Sequence, residues 1–246
     1  MSKKLEIRLD PVLAYDRIAA FYPELSARRK AYLTGIEGLI VAEIPQAAKS
    51  LLDVGAGDGT RALRIGEATG ITDLVLLEPS AAMRAHWPAH VRGWPIRAED
   101  LHAQKGSFDV IICLWNVLGH IFPAINRVWV LRQCARLLSP NGLLFIDVNH
   151  RYNARCYGAL PTALRALRDR LSPNEKNGDV ISRWKVDGAI YAADGHVFTD
   201  AEFRRVTAEA GLSIKSQVAV DYETGDICRS SFSGNLFYVI QRAKSG

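Results

Sequence analysis

The stretch Leu51-Leu-Asp-Val-Gly-Ala-Gly-Asp-Gly-Thr60 decides how this chain folds. The apolar run Lys49-Ser-Leu-Leu-Asp-Val54 stops at glycines 55, 57 and 59, and a helical pattern begins at Thr60. Glycine permits a sharp strand-to-helix turn and lets a ligand come within contact of the main chain. Amides at the start of the following helix favour negative or electron-rich groups. An ordinary strand-to-helix turn would need no more than this, so the surrounding residues decide the matter.

Two features go further. The spacing is GxGxG rather than the GxGxxG of dinucleotide sites, and an acid, Asp53, stands inside the strand before the first glycine. A second acid, Glu78, ends the next apolar run, Asp73-Leu-Val-Leu-Leu-Glu78. An acid beside the first strand's tip can accept both hydroxyls of a ribose. A carboxylate at Asp53 repels a pyrophosphate and suits an ammonium or a water-bridged polar group. A ligand with a ribose, a cationic amino-acid end and no phosphate answers this description, and S-adenosylmethionine is such a ligand.

Outward from the turn, strand-like and helix-like segments alternate to Asn149. Pro79-Ser-Ala-Ala-Met83 opens a helix, a weak third strand is expected around Val91–Arg97, and Phe108–Leu114 is the fourth. A helix from Asn126 to Leu138 and a turn at Ser139-Pro-Asn-Gly142 lead to a fifth, Leu143–Val148. Near-continuous apolar strands alternating with helices predict an α/β fold: a mostly parallel, Rossmann-like seven-stranded sheet covered on both faces. Beyond it, residues 151–195 are mixed, with a short helix at Thr162–Leu171. Thr199 followed by Glu202 reads as a capping box for a helix ending at Ala210-Gly211. Strands at about 212–221 and 234–242 then predict an antiparallel edge hairpin. The reading is one domain over 1–246: an N-terminal helical cover (1–48), a cofactor-binding core (49–149), a substrate-side insert (150–197) and a C-terminal helix and hairpin (198–246).

The chain's 246 residues, 48% hydrophobic and 23% charged, exclude a disordered or collagen-like polymer and a disulfide mini-protein. A net charge of +5 is too modest to favour nucleic acid. Met1–Asp10 has no apolar core of a secretory signal, and Val110–Gly119 is too short to cross a bilayer. Cys113, Cys134, Cys156 and Cys228 are scattered without metal-ligand spacing. Cys113 and Cys134 fall in apolar segments and read as buried hydrophobes. A cytoplasmic protein without metal, nucleic-acid or membrane partners is expected.

Residues 51–60 resemble motif I of class I S-adenosylmethionine-dependent methyltransferases. Leu76-Leu-Glu-Pro-Ser80 is similar to their second motif, Ala98-Glu-Asp-Leu101 to the third, Phe108–Leu114 to the fourth and Leu138–Leu144 to the fifth. Arg8–Tyr22 resembles the N-terminal cover of the small-molecule branch. The resemblance implies that Gly55, Gly57 and Gly59 hold the methionine end of the cofactor with Asp53 near its amino group. It places Glu78 on the ribose, Pro79 and Met83 beside the adenine, and the Leu114 carbonyl on the ammonium. Ile96-Arg97-Ala98 departs from the Gly-Asp-Ala of many relatives, which leaves Glu99, after Ala98, as the candidate adenine partner.

For the acceptor, the chain lacks the Asn/Asp-Pro-Pro-Tyr/Phe motif of enzymes that methylate base amino groups. It also lacks the Pro-Cys nucleophile of cytosine C5 methylation and the clustered acids of the metal-dependent catechol type. Cys113–His120 and Asn141–Tyr152 are similar to glycine and sarcosine N-methyltransferases, which favours nitrogen over oxygen or carbon. His120, just past the fourth strand, is the candidate base; Asn116 and Asn149 are candidates to orient substrate, and His150 or Tyr152 to contact it. Tyr15 and Tyr22 are candidates to cover the cofactor. Trp115 stands at a strand tip, whereas Trp87, Trp94, Trp129 and Trp184 read as core or lid anchors. Arg151–Lys185 carries eight basic side chains against three acidic ones, a net +5 that suits an anionic small-molecule acceptor. The competing readings are a fold relative that consumes S-adenosylmethionine without methyl transfer, a non-catalytic cofactor binder and, last, a dinucleotide oxidoreductase.

Overall fold

In the computed structural model, which describes residues 6–243, the apolar runs around the glycine turn become neighbouring strands. Met1–Leu5, part of the stretch read as lacking a leader, lie outside the described residues. Ahead of the glycine turn come β1 (Glu6–Arg8), α1 (Pro11–Ile18), α2 (Tyr22–Ala27) and α3 (Lys30–Glu43). The central part consists of β2 (Ser50–Val54), α4 (Thr60–Thr69), β3 (Asp73–Leu77), α5 (Ala81–Arg84) and β4 (Arg92–Trp94). It continues through β5 (Phe108–Cys113), α6 (Ala124–Leu137) and β6 (Leu138–Val148). After it follow α7 (Ala154–Tyr157), α8 (Ala159–Leu171), β7 (Asp179–Val186), β8 (Ala189–His196), α9 (Asp200–Glu209), β9 (Leu212–Val220) and β10 (Asn235–Arg242).

The large sheet has the order β4-β3-β2-β5-β6-β10-β9. β4 through β6 run parallel, and β10 is antiparallel to both β6 and β9. This is the expected Rossmann-like α/β sheet with its antiparallel C-terminal edge. Alternate strand residues face opposite layers. Leu52, Val54, Leu77, Ile111 and Leu144 join α6 and α9 through Leu131 and Phe203. Leu51, Leu76, Val110, Ile112 and Phe145 join α3 and α4 through Ile36, Ile40 and Ile65. Every residue of β2 is buried, Asp53 included. Cys113 and Cys134 are buried free thiols, and burial pushes Cys134 up to about 12.

Three local expectations are adjusted. Ser139–Gly142 is not a separate turn but an irregularity inside β6, where the register passes from Phe108↔Leu138 to Val110↔Leu143. Asp109 fastens it, accepting from Ser139 Oγ at 3.1 Å through one oxygen and from the Lys49 amide at 2.9 Å through the other. The weak third strand shortens to Arg92–Trp94, because Pro95 has no amide to continue the ladder. The mixed insert contains a full antiparallel hairpin, β7–β8, turned by Asp187-Gly188 at φ 46° and 73°. Two successive positive φ values fit the type I′ hairpin turn favoured by Asp-Gly. β1 adds to β8 in parallel, making a second, three-stranded sheet that ties the N-terminal cover to the insert.

Thr199 caps α9 by accepting from the Glu202 amide at 3.1 Å. The Glu202 carboxylate does not complete the capping box; it reaches Arg151 at 2.5 Å and His196 Nε2 at 2.7 Å. Arg151 also meets Asp169 of α8 at 3.2 Å, and Tyr152 donates to the same carboxylate at 2.8 Å. This buried network fixes the end of β6 to α8 and α9. Removing one partner of a buried ion pair strands the other charge at a cost of about 3–5 kcal/mol. Arg151→Ala is therefore expected to lower unfolding free energy by about that amount, read by urea denaturation.

Candidate active site

The glycine turn is held by hydrogen bonds as well as by its conformation. Gly55, Gly57 and Gly59 have φ of 78°, 57° and 77°, values that side chains rarely adopt. A Cβ on Gly55 would lie 2.5 Å from Val117. The Gly55 and Ala56 amides both donate to Leu77 O at 2.9 Å. Glu78 then accepts from the Gly57 amide through one oxygen and from the Ser80 amide through the other, each at 2.9 Å. Burial pushes the Glu78 carboxyl upward, while the two amides and Arg84 pull against that shift.

Above the turn lies a cleft lined by Gly55, Gly57, Leu77, Glu78, Pro79, Ala98, Glu99 and Leu114 from the carboxyl edge of the sheet. Pro11, Val12, Tyr15 and Tyr22 of the N-terminal cover form its roof, and Trp115, Val117 and His120 one end. Eleven of the residues singled out in the sequence therefore face one space: Gly55, Gly57, Glu78, Pro79, Ala98, Glu99, Leu114, Trp115, Tyr15, Tyr22 and His120. Gly59 instead packs below the turn, where a Cβ would meet Leu76 at 2.8 Å and Trp87 at 3.0 Å. Met83 is fully buried in a cluster with Ile18, Ala19 and Tyr22 and does not line the cleft. Arg97, at the position departing from the relatives' pattern, pairs at 2.7 Å with Asp10, the cap of α1. The substituted position thus fastens the roof.

Asp53 lies beneath the turn, fully buried, and neither carboxylate oxygen has a hydrogen-bond partner. Burial pushes its carboxyl up to about 7; Arg61 opposes the shift and Glu78 and Asp58 add to it. Arg61 escaped the sequence reading. It stands in the first turn of α4, is 8% exposed and lines the cleft. Burial alone would lower its guanidinium, but Tyr22, Asp53 and Asp147 outweigh that and raise it. The signal available was an arginine directly after the Gly-Thr that starts the helix.

A second cavity adjoins the first and shares Tyr15, Tyr22, Trp115 and His120 with it. Its other walls include Asn116, Asn149, Trp184 and Tyr222, with Arg28, Arg29 and Arg183 also lining it. His120 packs near Tyr15 and Trp184, with ring centroids at 5.8 and 6.0 Å. Its Nδ1 lies 3.0 Å from the Asp194 carbonyl. A carbonyl can only accept, so Nδ1 carries the proton and the neutral ring keeps its lone pair on Nε2. Burial lowers the His120 pKa, with the Asp194 carbonyl opposing.

Asn116 and Asn149 build the frame of this cavity. Trp115 and Asn116 both have positive φ, 62° and 61°, a strained conformation for residues with side chains. Asn116 donates to His196 O at 3.2 Å and accepts from the Asn149 amide at 3.0 Å. Asp147 accepts from the Trp115 amide and, at 2.5 Å, from Tyr32 Oη. His150 lies against Ser231 O at 2.8 Å, and Tyr152 is committed to Asp169, so neither lines the two cavities. Trp184 does line the second. Among the described residues, no group of three or more His, Cys, Asp or Glu is arranged to hold a metal ion, and no helix is long and apolar enough to cross a membrane.

A mostly parallel sheet with a glycine turn after an inner strand, an acid at the tip of the next strand and an aromatic-walled cavity at its carboxyl edge is the arrangement a methyltransferase fold offers. Residues 23–217 match the family described as "Methyltransferase domain", and the chain belongs to that family. It is 31% identical over 111 residues to a glycine/sarcosine N-methyltransferase of Parasynechococcus marenigrum, covering 41% of this chain and 38% of that protein. It is 30% identical over 124 residues to a ubiquinone biosynthesis O-methyltransferase of Ralstonia nicotianae, 48% of this chain and 50% of that protein. The matches thus span half or less of these two relatives. The fold is similar to a S-adenosylmethionine-dependent methyltransferase from Clostridium acetobutylicum, with a TM-score of 0.63 at 13% identity over 94% of this chain and 99% of that one.

S-adenosylmethionine is the cofactor of this class, and the residues fit it. The cleft has a glycine floor at Gly55 and Gly57, a carboxylate fixed at the tip of the neighbouring strand, and an unpartnered buried acid beneath the turn. Two outcomes are expected. Glu78→Gln weakens cofactor affinity, measured calorimetrically, by about 1.5–3 kcal/mol, the range for hydrogen bonds to a charged group. Asp53 gains its charge as pH rises through about 7. Cofactor affinity should therefore rise about tenfold between roughly pH 6 and 8, and Asp53→Asn should flatten that rise. The sign for folding is opposite. The native state holds a proton that an unfolded chain releases near 3.8, so in the unliganded protein this group's contribution falls as pH rises toward 7.

Proposed function

We propose that the protein transfers a methyl group from S-adenosylmethionine to the nitrogen of a small anionic acceptor. One observation carries this reading: the cofactor cleft opens at Tyr22, Trp115 and His120 into a second, aromatic-walled cavity that arginines also line. The cofactor supplies a methyl group on a sulfonium, a good leaving group for in-line displacement. The protein's task is to align the nucleophile and exclude water, and such positioning can supply on the order of 7–11 kcal/mol.

In this reading Gly55, Gly57, Glu78, Pro79, Ala98, Glu99 and Leu114 hold the cofactor, with Asp53 and Arg61 as the opposite charges near its amino-acid end. Gly59 shapes the turn from below, and Met83 supports the adenine side from within the packed cover. Tyr15 and Tyr22 close the roof. Trp115 and Trp184 flank the acceptor, and Asn116 and Asn149 keep the strand tips in place. An amine must be neutral to attack, so a proton acceptor beside it assists. His120 suits that role through Nε2, its low pKa keeping the ring neutral near pH 7.

Support for an anionic acceptor comes mainly from the N-terminal cover. Arg28 and Arg29 line the second cavity together with Arg183 of the insert. Arg29 lies 4.3 Å from the Tyr222 ring centroid and also pairs with Glu223, while Arg183 pairs with Glu6. Most other basic residues of the insert lie elsewhere, and Arg151 is committed to Asp169 and Glu202. Nitrogen as acceptor rests on the likeness of Cys113–His120 and Asn141–Tyr152 to glycine and sarcosine N-methyltransferases. Unpaired cysteines suit a reducing, cytoplasmic setting.

The test is incubation with cofactor labelled in its methyl group and a fractionated metabolite extract. S-adenosylhomocysteine together with a labelled anionic amine is the expected result. Methylthioadenosine, or label on oxygen or carbon, overturns the reading. His120→Ala should lower kcat by about 10²–10⁴-fold and leave cofactor affinity intact. In the wild type at saturating cofactor, where the Asp53 step no longer limits binding, the acid limb of kcat/KM for the acceptor should fall below pH 6.5, because burial lowers the imidazole's pKa. Equal turnover by the variant would remove His120 as the base.

A further inference from the structure

Helix α8 carries four leucines that the fold does not bury. Leu160, Leu164, Leu167 and Leu171 are 70%, 59%, 52% and 76% exposed. At about 100° per residue they fall within an arc of roughly 60°, one narrow stripe along the whole helix. The opposite face does the packing: Thr162 is buried, and Asp169 turns inward to Arg151 and Tyr152. Arg168 and Arg170 stand roughly 70–90° to either side of the stripe and are exposed. The only acid of α8 is Asp169, which also lies 3.6 Å from Arg168, and Arg168 donates to Asn177 O at 2.8 Å. The solvent side of the helix therefore presents leucine bordered by this tethered arginine on one side and by Arg170 on the other.

We propose that α8 seats the protein on an anionic lipid surface, leucines among the acyl chains and Arg168 and Arg170 at the headgroups. An apolar stripe with basic borders is the pattern of a helix lying in a membrane interface. Thirteen residues span about 20 Å, too short to cross a bilayer, so this is a surface contact. Charge argues against a second copy as the occupant. Two α8 stripes pressed together across a two-fold axis would set arginine against arginine on both borders. A single narrow stripe also falls short of the roughly 800 Å² per partner of a stable interface. The proposal is independent of the methyl-transfer reading.

The test is co-sedimentation of the full chain with vesicles of phosphatidylcholine alone and of phosphatidylcholine mixed with phosphatidylglycerol, at low and high salt. Binding is expected to the anionic vesicles and to weaken at high salt, as screening of the arginines requires. The double variant Leu164→Gln/Leu167→Gln should lose about tenfold or more of that binding. Arg168→Gln/Arg170→Gln should lose several-fold and abolish the preference for anionic vesicles. The leucine variant should keep the wild-type unfolding midpoint, since both side chains are exposed. The single variant Arg170→Gln, free of the Arg168 contacts to Asp169 and Asn177, should keep it too while still weakening binding to anionic vesicles. Three results would overturn the proposal: no wild-type binding to either vesicle, equal binding to neutral vesicles, or binding untouched by both variants. A concentration-dependent dimer broken by the leucine variant, without vesicle binding, would assign the stripe to a second copy instead and also overturn it.

Discussion

The bonds from the Gly57 and Ser80 amides to the Glu78 carboxylate are the constraint on which the rest of the site depends. They fix the glycine turn after β2 to the tip of β3, so the floor of the cleft and its acid cannot move independently. A carboxylate has about four acceptor positions. Two of them are occupied by main-chain amides, which leaves room for a pair of hydroxyl donors. The same amides favour the ionised form of a group that burial drives toward neutrality. The carboxylate that fixes the turn thus also lines the cleft.

The second wall of the site is held by strain that the core resists. Trp115 and Asn116 occupy left-handed backbone conformations at the end of β5, each costing of order 1–3 kcal/mol. Such a turn persists only when its surroundings determine it. Here the Trp115 amide is bound by Asp147 of β6, the Trp115 indole donates to Tyr222 Oη at 3.1 Å, and both ends of the Asn116 amide are occupied by backbone groups. The result aims Trp115 into the junction of the two cavities.

Much of this was legible in the sequence, for reasons that differ from residue to residue. The central strands could be read because strands buried on both faces are nearly pure apolar runs. The glycine turn and Glu78 could be read because spacing alone sets their geometry. The β7–β8 hairpin was legible in principle from Asp187-Gly188 and from Arg183 and Lys185 alternating with Trp184 and Val186, but Ser182 and Asp194-Gly195-His196 blur the far ends of the strands and mask them. Ser139–Gly142 looks like a turn because proline and glycine punctuate it, yet Asp109 holds it inside β6. Arg61 and the arginines of α2's end were hidden for a different reason: a charge becomes part of a site only when distant elements enclose it. Glu202 shows the converse, since its spacing to Thr199 suggested a local cap while its carboxylate serves Arg151 and His196.

The pairing of β1 with β8 has a mechanical consequence. β1 leads directly into α1, whose Pro11, Val12 and Tyr15 roof the cofactor cleft, and β8 carries the Asp194 carbonyl that orients His120. The lid and the imidazole's anchor therefore hang from one three-stranded hinge plate. A displacement of α1 that carried β1 along would either break the three-residue parallel ladder or drag the β7–β8 ribbon with it. In the second case the Asp194 carbonyl travels with the ribbon, so a displacement of the N-terminal cover is transmitted to the His120 ring.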